Sequence, residues 1–92
     1  MPKGVKGEHD LQVIEGIGPK IEKILKDAGI KNWALLADAE SSYLKEILMA
    51  ASGRYRLAVP DTWPKQAALA VEGKWDELKA YQDILDGGKE VM

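Results

Sequence analysis

The chain has 92 residues, 15 acidic and 13 basic side chains, and a formal net charge of -2. That length fits one small domain, and a 46% apolar share belongs to a folded chain and not to a disordered one. The absence of cysteine excludes disulfides, thiol catalysis, iron–sulfur clusters and thiolate zinc sites.

The one histidine, His9, cannot supply an imidazole metal site, and no clustered carboxylate loop replaces it, so neither metal nor cofactor is expected. No apolar run approaches the ~20 residues of a membrane span. The opening MPKGVKGEHD lacks the apolar stretch of a signal peptide, which makes the cytoplasm the expected compartment. Proteins that live on nucleic acid usually carry a basic surplus. This chain has none, so any such binding must be local, weak or assisted. Phenylalanine is absent, which leaves three Trp, three Tyr and the Leu/Ile/Val set to build the core.

Residues 1–9 read as a flexible arm, 10–86 as the domain, and 87–92 as a tail after a glycine stop. Asp10 is a good N-cap for a short helix over Leu11 to Ile14. Glu15-Gly16-Ile17-Gly18-Pro19 is a tight turn, and Pro19 suits the first turn of a helix that runs to Ala28 with Ile21, Ile24, Leu25 and Ala28 on one face. Gly29 ends it. Asn32 caps a helix carrying Trp33, Leu35, Leu36 and Ala39. Ser41 or Ser42 caps another with Leu44, Ile47, Leu48 and Ala51 on one side, closed by Gly53.

Residues 54–60 alternate polar and apolar for a few positions, but a lone strand has no partner, so the segment reads as an extended connector. Asp61 or Thr62 caps a helix with Pro64 in its first turn and Ala67, Ala70 and Val71 facing inward, ended by Gly73. The last helix, Trp75 to Leu85, places Trp75, Leu78, Tyr81, Gln82 and Leu85 at helical spacing before Gly87. The fold class is all-α, a compact bundle of five or six short helices joined by short connections. One echo stands out. Pro19-Lys20 opens a helix closed by Gly29 and followed by Trp33; Pro64-Lys65 opens one closed by Gly73 and followed by Trp75.

The chemistry concentrates in Val13-Ile14-Glu15-Gly16-Ile17-Gly18-Pro19-Lys20-Ile21. Two glycines let the chain reverse and let a large group approach the backbone, while Ile17 anchors the turn inward. The first amides of the following helix have no internal partners and sit at the positive end of its dipole, which makes an anion site. Gly16, Gly18, Lys20 and the Ile21 amide are the expected phosphate contacts, with Lys20 and Lys23 as counter-charges. On spacing alone, a turn that merely joins two helices is the favoured reading. The turn is neither a dinucleotide fingerprint nor a Walker loop: it lacks the third glycine, the preceding strand and the Gly-Lys-Ser/Thr run.

Ile14-Glu15-Gly16-Ile17-Gly18-Pro19-Lys20, with Ile24-Leu25 and Ala28-Gly29-Ile30 after it, resembles a helix-hairpin-helix motif over about residues 10–30. The resemblance implies a hydrophobic-Gly-hydrophobic-Gly hairpin whose amides bind a DNA or RNA phosphate without reading sequence. Trp33 to Ala37 fits the usual continuation. Asp61 to Ala67 and Gly73 to Lys79 extend the similarity to a small bacterial helix-hairpin-helix domain, found alone or fused to the C-terminus of a large-subunit ribosomal protein. Family members that hold duplex DNA often pair two motifs about a pseudo-two-fold, with Ser42 to Ala51 in the place of the linking helix. The second copy here is degenerate: Asp61-Thr62-Trp63-Pro64 stands where a Gly-x-Gly hairpin belongs, and an anion beside a bulky ring does not cradle a phosphate.

Arg54, Tyr55 and Arg56 interleave basic and aromatic side chains. They offer auxiliary nucleic-acid contacts, although packing of Tyr55 with both arginines in solvent is the favoured reading. Trp33, Trp63 and Trp75 read as core. Asp76, Glu77, Asp83 and Asp86 read as a solvated face, and His9 as idle.

Two functions compete. One is a non-catalytic, sequence-independent DNA- or RNA-binding module contacting phosphate through Gly16-Ile17-Gly18. The other is a protein-interaction or scaffold module, ribosome- or DNA-repair-associated, that keeps the fold without strong nucleic-acid binding. An enzyme is not expected: no nucleophile–base pair, metal cluster or cofactor loop is present in the sequence.

Overall fold

In the computed structural model the backbone is described for residues 3–91 and the side chains for residues 3–85. A 3-10 helix at Leu11–Val13 is followed by α1 (Pro19–Asp27), α2 (Trp33–Asp38) and α3 (Ser41–Ala51). Two further 3-10 helices, Gly53–Leu57 and Pro60–Thr62, lead to α4 (Trp63–Val71) and α5 (Trp75–Val91). The described residues contain no strand, and the all-α class stands.

The local signals act as their chemistry requires. The Asp10 carboxylate accepts from Gln12 N–H and the Asn32 side chain accepts from Leu35 N–H, so each caps the helix it precedes. Pro19 stands at the start of α1. α1 and α4 end in the same way. Gly29 N–H donates to Lys26 and Ile30 N–H to Leu25; Gly73 N–H donates to Ala70 and Lys74 N–H to Leu69. Both are Schellman motifs, and both glycines take the positive φ that this ending needs, 100° and 71°. Each helix then leads into one that opens at a tryptophan. Those two rings, Trp33 and Trp75, meet edge to face with centroids 5.2 Å apart, a contact worth about 0.5–1.5 kcal/mol beyond its buried area. The echo in the sequence is therefore an echo in the structure.

The core joins both halves. Leu11, Ile14 and Ile17 from the first hairpin, Leu25 from α1, Trp33 and Leu36 from α2, Leu44 and Leu48 from α3, Trp63, Ala67 and Ala70 from α4 and Leu78 from α5 are all buried. Residues 3–9, read as an arm, touch this body: Val5 packs against the core and Glu8 C=O accepts from Trp33 N–H. Met1, Pro2 and Met92 lie outside the described residues.

Four expectations are corrected. Residues 53–57 are a 3-10 helix and not part of an extended connector, because the Ser52 hydroxyl accepts from Arg54 N–H and the Lys45 ammonium gathers the carbonyls of Tyr55, Arg56 and Ala58. Val71 does not face inward but is 52% exposed, at the last residue of α4. Neither Ser41 nor Ser42 caps α3, and of Asp61 and Thr62 it is Thr62 that stands at the N-cap of α4. The N-cap positions are Glu40 and Thr62, without side-chain capping bonds, and the Thr62 hydroxyl accepts from Gln66 instead. α5 does not stop at Gly87 but continues to Val91; two helical glycines cost about 1 kcal/mol each against alanine without forbidding the helix.

Candidate functional site

The hairpin between the first 3-10 helix and α1 is built from three anchors. Ile14 and Ile17 are buried, and Ile17 N–H donates to Ile14 C=O at 3.1 Å, which closes the turn. Gly16 sits at its apex with φ 105°, a conformation that side chains rarely adopt. On its open side a Cβ would lie 2.8 Å from Trp63 Nε1. The tryptophan of the degenerate second copy thus covers the first hairpin. Gly18 differs. Its φ of -101° is ordinary, and a Cβ there would meet nothing within 4 Å among the described residues.

Past Gly18 the backbone is available. The amides of Gly16, Gly18, Lys20 and Ile21 have no hydrogen-bond acceptor among the described residues, while Glu22 N–H makes the first bond of α1, to Gly18 C=O. Pro19 has no N–H to offer. Lys20 is exposed, with no ion pair among the described residues. Lys23 is exposed and pairs with Asp27 at 3.2 Å on its own helix. Ile21 is half-buried against the core and presents only its amide to this mouth. The geometry that results is a short row of N–H donors at the positive end of a helix, flanked by two ammonium groups.

Polar side chains on α1, α4 and α5 hold this turn in place, and the sequence reading missed them. Glu22 reaches back from α1 to the first 3-10 helix, where its carboxylate accepts from Leu11 N–H and from the Gln12 amide, both at 2.9 Å, with Lys26 at 3.4 Å. Burial raises its pKa, but the hydrogen bonds from Gln12 and Leu11 and the charge of Lys26 outweigh that and hold the carboxyl below its usual value. Gln66 on α4 is fully buried. Its oxygen accepts from Glu15 N–H at 2.7 Å and from Gln82 Nε2 at 2.9 Å; its amide donates to Glu15 C=O and the Thr62 hydroxyl. Gln82 on α5 also donates to Val13 C=O at 2.8 Å. The second half of the chain therefore clamps the backbone of the first hairpin on both sides of Ile14.

Arg54 and Arg56 are exposed on the 3-10 helix 53–57, as expected, and Tyr55 is half-buried against the core with the Arg54 guanidinium 5.8 Å from its ring centre. No hydrogen bond or ion pair joins them to the hairpin among the described residues. No helix among the described residues is long and apolar enough to cross a membrane.

A closed Gly-x-Gly turn between two short helices, backed by a second helix pair with the same ending, defines a helix-hairpin-helix domain. Residues 11–71 match the model of the RS2/RL21/YNQ2 HHH domain, a helix-hairpin-helix domain found in ribosomal proteins, and the chain belongs to that family. The match opens at the first residue of the first 3-10 helix and closes at the last residue of α4. No curated protein and no solved structure matches the chain significantly.

Proposed function

We propose that this domain is a non-catalytic module that holds a nucleic-acid backbone, without reading its sequence, on the amides of Gly18, Lys20 and Ile21, with Lys20 and Lys23 as counter-charges. One observation carries the reading: among the described residues the amides at the mouth of α1 have no acceptor, and the space over Gly18 is open. Helix N-termini of this kind bind phosphate, and phosphate contacts give affinity without sequence information. Gly16 serves the fold beneath the site, because Trp63 occupies its open side. With a net charge of -2 the attraction is local to the lysines at the mouth, and the phosphates they neutralise make it salt-sensitive. The cytoplasm, as the compartment of ribosomes and nucleic acid, agrees with this role.

A second reading, docking of a protein, draws on a different surface. A shallow depression of about 390 Å³ is lined by Ile30, Leu35, Ala39 and Tyr43 with Asp38 and Glu40 at its rim. An apolar floor with two carboxylates and no ion pair among the described residues suits a basic segment and not a phosphate.

Anisotropy with labelled duplex DNA, single-stranded DNA and structured RNA, at low and moderate salt, tests the first reading. The control combines Lys20→Glu with Gly18→Val, a change for which the backbone has room. Salt-sensitive binding that this variant loses while staying folded supports the hairpin as a phosphate site. Absence of binding at low salt overturns it and leaves protein docking as the reading to pursue.

A further inference from the structure

Two shallow hollows flank α2, and one residue belongs to both. The first, about 390 Å³, lies over Ile30 between Leu35 and Tyr43, with Asp38 and Glu40 at its rim. The second, about 220 Å³, is walled by Ala34 and Ala37 of α2 and by Ala68 and Val71 of α4, with Glu72 and the same Asp38 beside it. α2 packs directly on α4. At 3.6 residues per turn, Ala34 and Ala37 face one flank of α2 and Leu35 the other, with Asp38 between them.

This face is apolar, exposed and acidic together. Leu35 and Tyr43 are 44% and 48% exposed, and Val71 is exposed at the last residue of α4. Asp38 and Glu40 have no ion pair among the described residues, while Glu72 pairs with Lys74 at 3.4 Å. Asp38 is the last residue of α2, where the helix dipole disfavours an anion, so the fold gains nothing from its charge. No lysine or arginine lines either hollow. Such a face repels a phosphate and attracts a cation that carries apolar groups beside it. A helix with its side chains is about 10 Å across, and about three residues of extended chain cover that distance.

We propose that the outer face of α2, with both hollows, docks a basic peptide segment that places an apolar side chain in each hollow and a cation over Asp38. This rests on the docking reading, which it extends from one hollow to two, and not on the hairpin as a phosphate site. None of its residues belongs to the hairpin.

The test titrates the isotope-labelled whole chain at low salt with a synthetic hexapeptide of the pattern basic–leucine–basic–basic–leucine–basic, and backbone amide shifts locate the site. Two control peptides replace both leucines by serine or every basic residue by glutamate. The variants are Leu35→Ser, Val71→Ser, Asp38→Asn with Glu40→Gln, and Lys20→Glu. An unchanged thermal midpoint verifies that each is folded, with Leu35→Ala in place of the serine if that lowers it. Saturable shifts at residues 34–43 and 68–72 are expected. The serine peptide should bind about tenfold more weakly, and the glutamate peptide not at all. Leu35→Ser and Val71→Ser should each weaken the leucine peptide about fivefold. The carboxylate pair should weaken it about fivefold as well, a difference that added salt removes. Lys20→Glu should leave it unchanged. Loss with Leu35→Ser but not with Val71→Ser overturns the two-hollow surface and returns the single hollow. Shifts elsewhere, equal binding of the serine peptide, or no binding overturns the docking reading with it. Shifts of the same amides with protein concentration alone, without peptide, make a second copy the occupant and overturn the proposal. RNA added to the same samples tests the hairpin separately, since only Lys20→Glu should weaken that binding.

Discussion

Trp63 stands against Gly16: its Nε1 lies 2.8 Å from the point that a Cβ on that glycine would occupy. The two glycines of the hairpin therefore have different duties. Gly16 is required by the fold, through its φ of 105° and through the indole. Gly18 is the backbone N-cap of α1 at an ordinary φ, and among the described residues open space lies over it. Gly16→Ala should destabilise the protein by roughly 2–4 kcal/mol, from a strained φ and a forced shift of Trp63. Gly18→Ala should cost no more than about 1 kcal/mol, the difference between glycine and alanine at an N-cap. Chemical denaturation of the two variants checks the contrast, and equal losses would refute the division of roles.

Gln66 is the polar centre of the molecule. It answers both backbone groups of Glu15, 51 residues away, and accepts from Gln82. Gln66→Leu keeps the volume but leaves Glu15 N–H without its acceptor in a part-buried position. The expected loss is about 2–3 kcal/mol, read as a lower denaturant midpoint with an unchanged slope. The hairpin should loosen with it, so faster amide exchange at Glu15 and Ile17 is the second readout.

These contacts mark where the sequence was legible and where it was not. α1, α2 and α4 were readable because their signals are local: Pro19 and Pro64 near the starts, Asn32 at a cap, Gly29 and Gly73 at the ends. The shape around Arg54–Val59 was not, because its backbone is organised by Lys45, which is 10 to 13 residues earlier and on another helix. Val71 continues an apolar helical face but comes at the end of α4, where it stays exposed. In the candidate site, Ile17 and the free amides follow from the turn itself. The cover over Gly16 does not, because Trp63 comes from the opposite half of the chain. One signal was present for Gln66: it falls beside Ala67 and one turn from Ala70 on the inward face of α4, and a polar residue there needs a buried partner.

Glu22 gives the fold an acid-sensitive joint. Its folded-state pKa lies below the usual 4.5, since the bonds from Gln12 and Leu11 and the nearby Lys26 outweigh the effect of burial. The unfolded chain therefore takes up the proton more readily. Glu22 contributes stability in full above about pH 4.5, and that contribution is lost as pH falls through the lowered folded-state value. Glu22→Gln should be less stable than the parent at neutral pH, and the gap should close on acidification. A gap that stays constant from neutral to acid would show that the carboxylate charge does not matter.

Lys45 is best tested through its carbonyls. Lys45→Met keeps most of the aliphatic stem and removes the three donors that hold Tyr55, Arg56 and Ala58. A cost of about 1–2 kcal/mol is expected, because those carbonyls are partly open to water. The Ala58 amide, which donates to Tyr55 C=O at 2.9 Å, should exchange much faster, while amides within α1 stay protected. Uniform loss of protection would mean that Lys45 supports the whole core and not this segment.

The two lysines at the hairpin are not equivalent. Among the described residues Lys20 has no ion pair, whereas Lys23 holds Asp27 at 3.2 Å with both side chains largely in solvent. An exposed pair of this kind adds little to stability, so alanine at either position should leave the thermal midpoint nearly unchanged. A phosphate can engage Lys20 directly but must compete with Asp27 for Lys23. Lys20→Ala should therefore weaken nucleic-acid binding more than Lys23→Ala. It should also lower the log–log salt slope by about 0.7–0.9, the share of one phosphate contact. Asp27→Asn frees Lys23 and removes a nearby negative charge, so it should tighten binding at low salt and lose that advantage at high salt. If Asp27→Asn left affinity unchanged at low salt, Lys23 would have no part in the phosphate site, and Lys20 with the backbone amides would carry it alone.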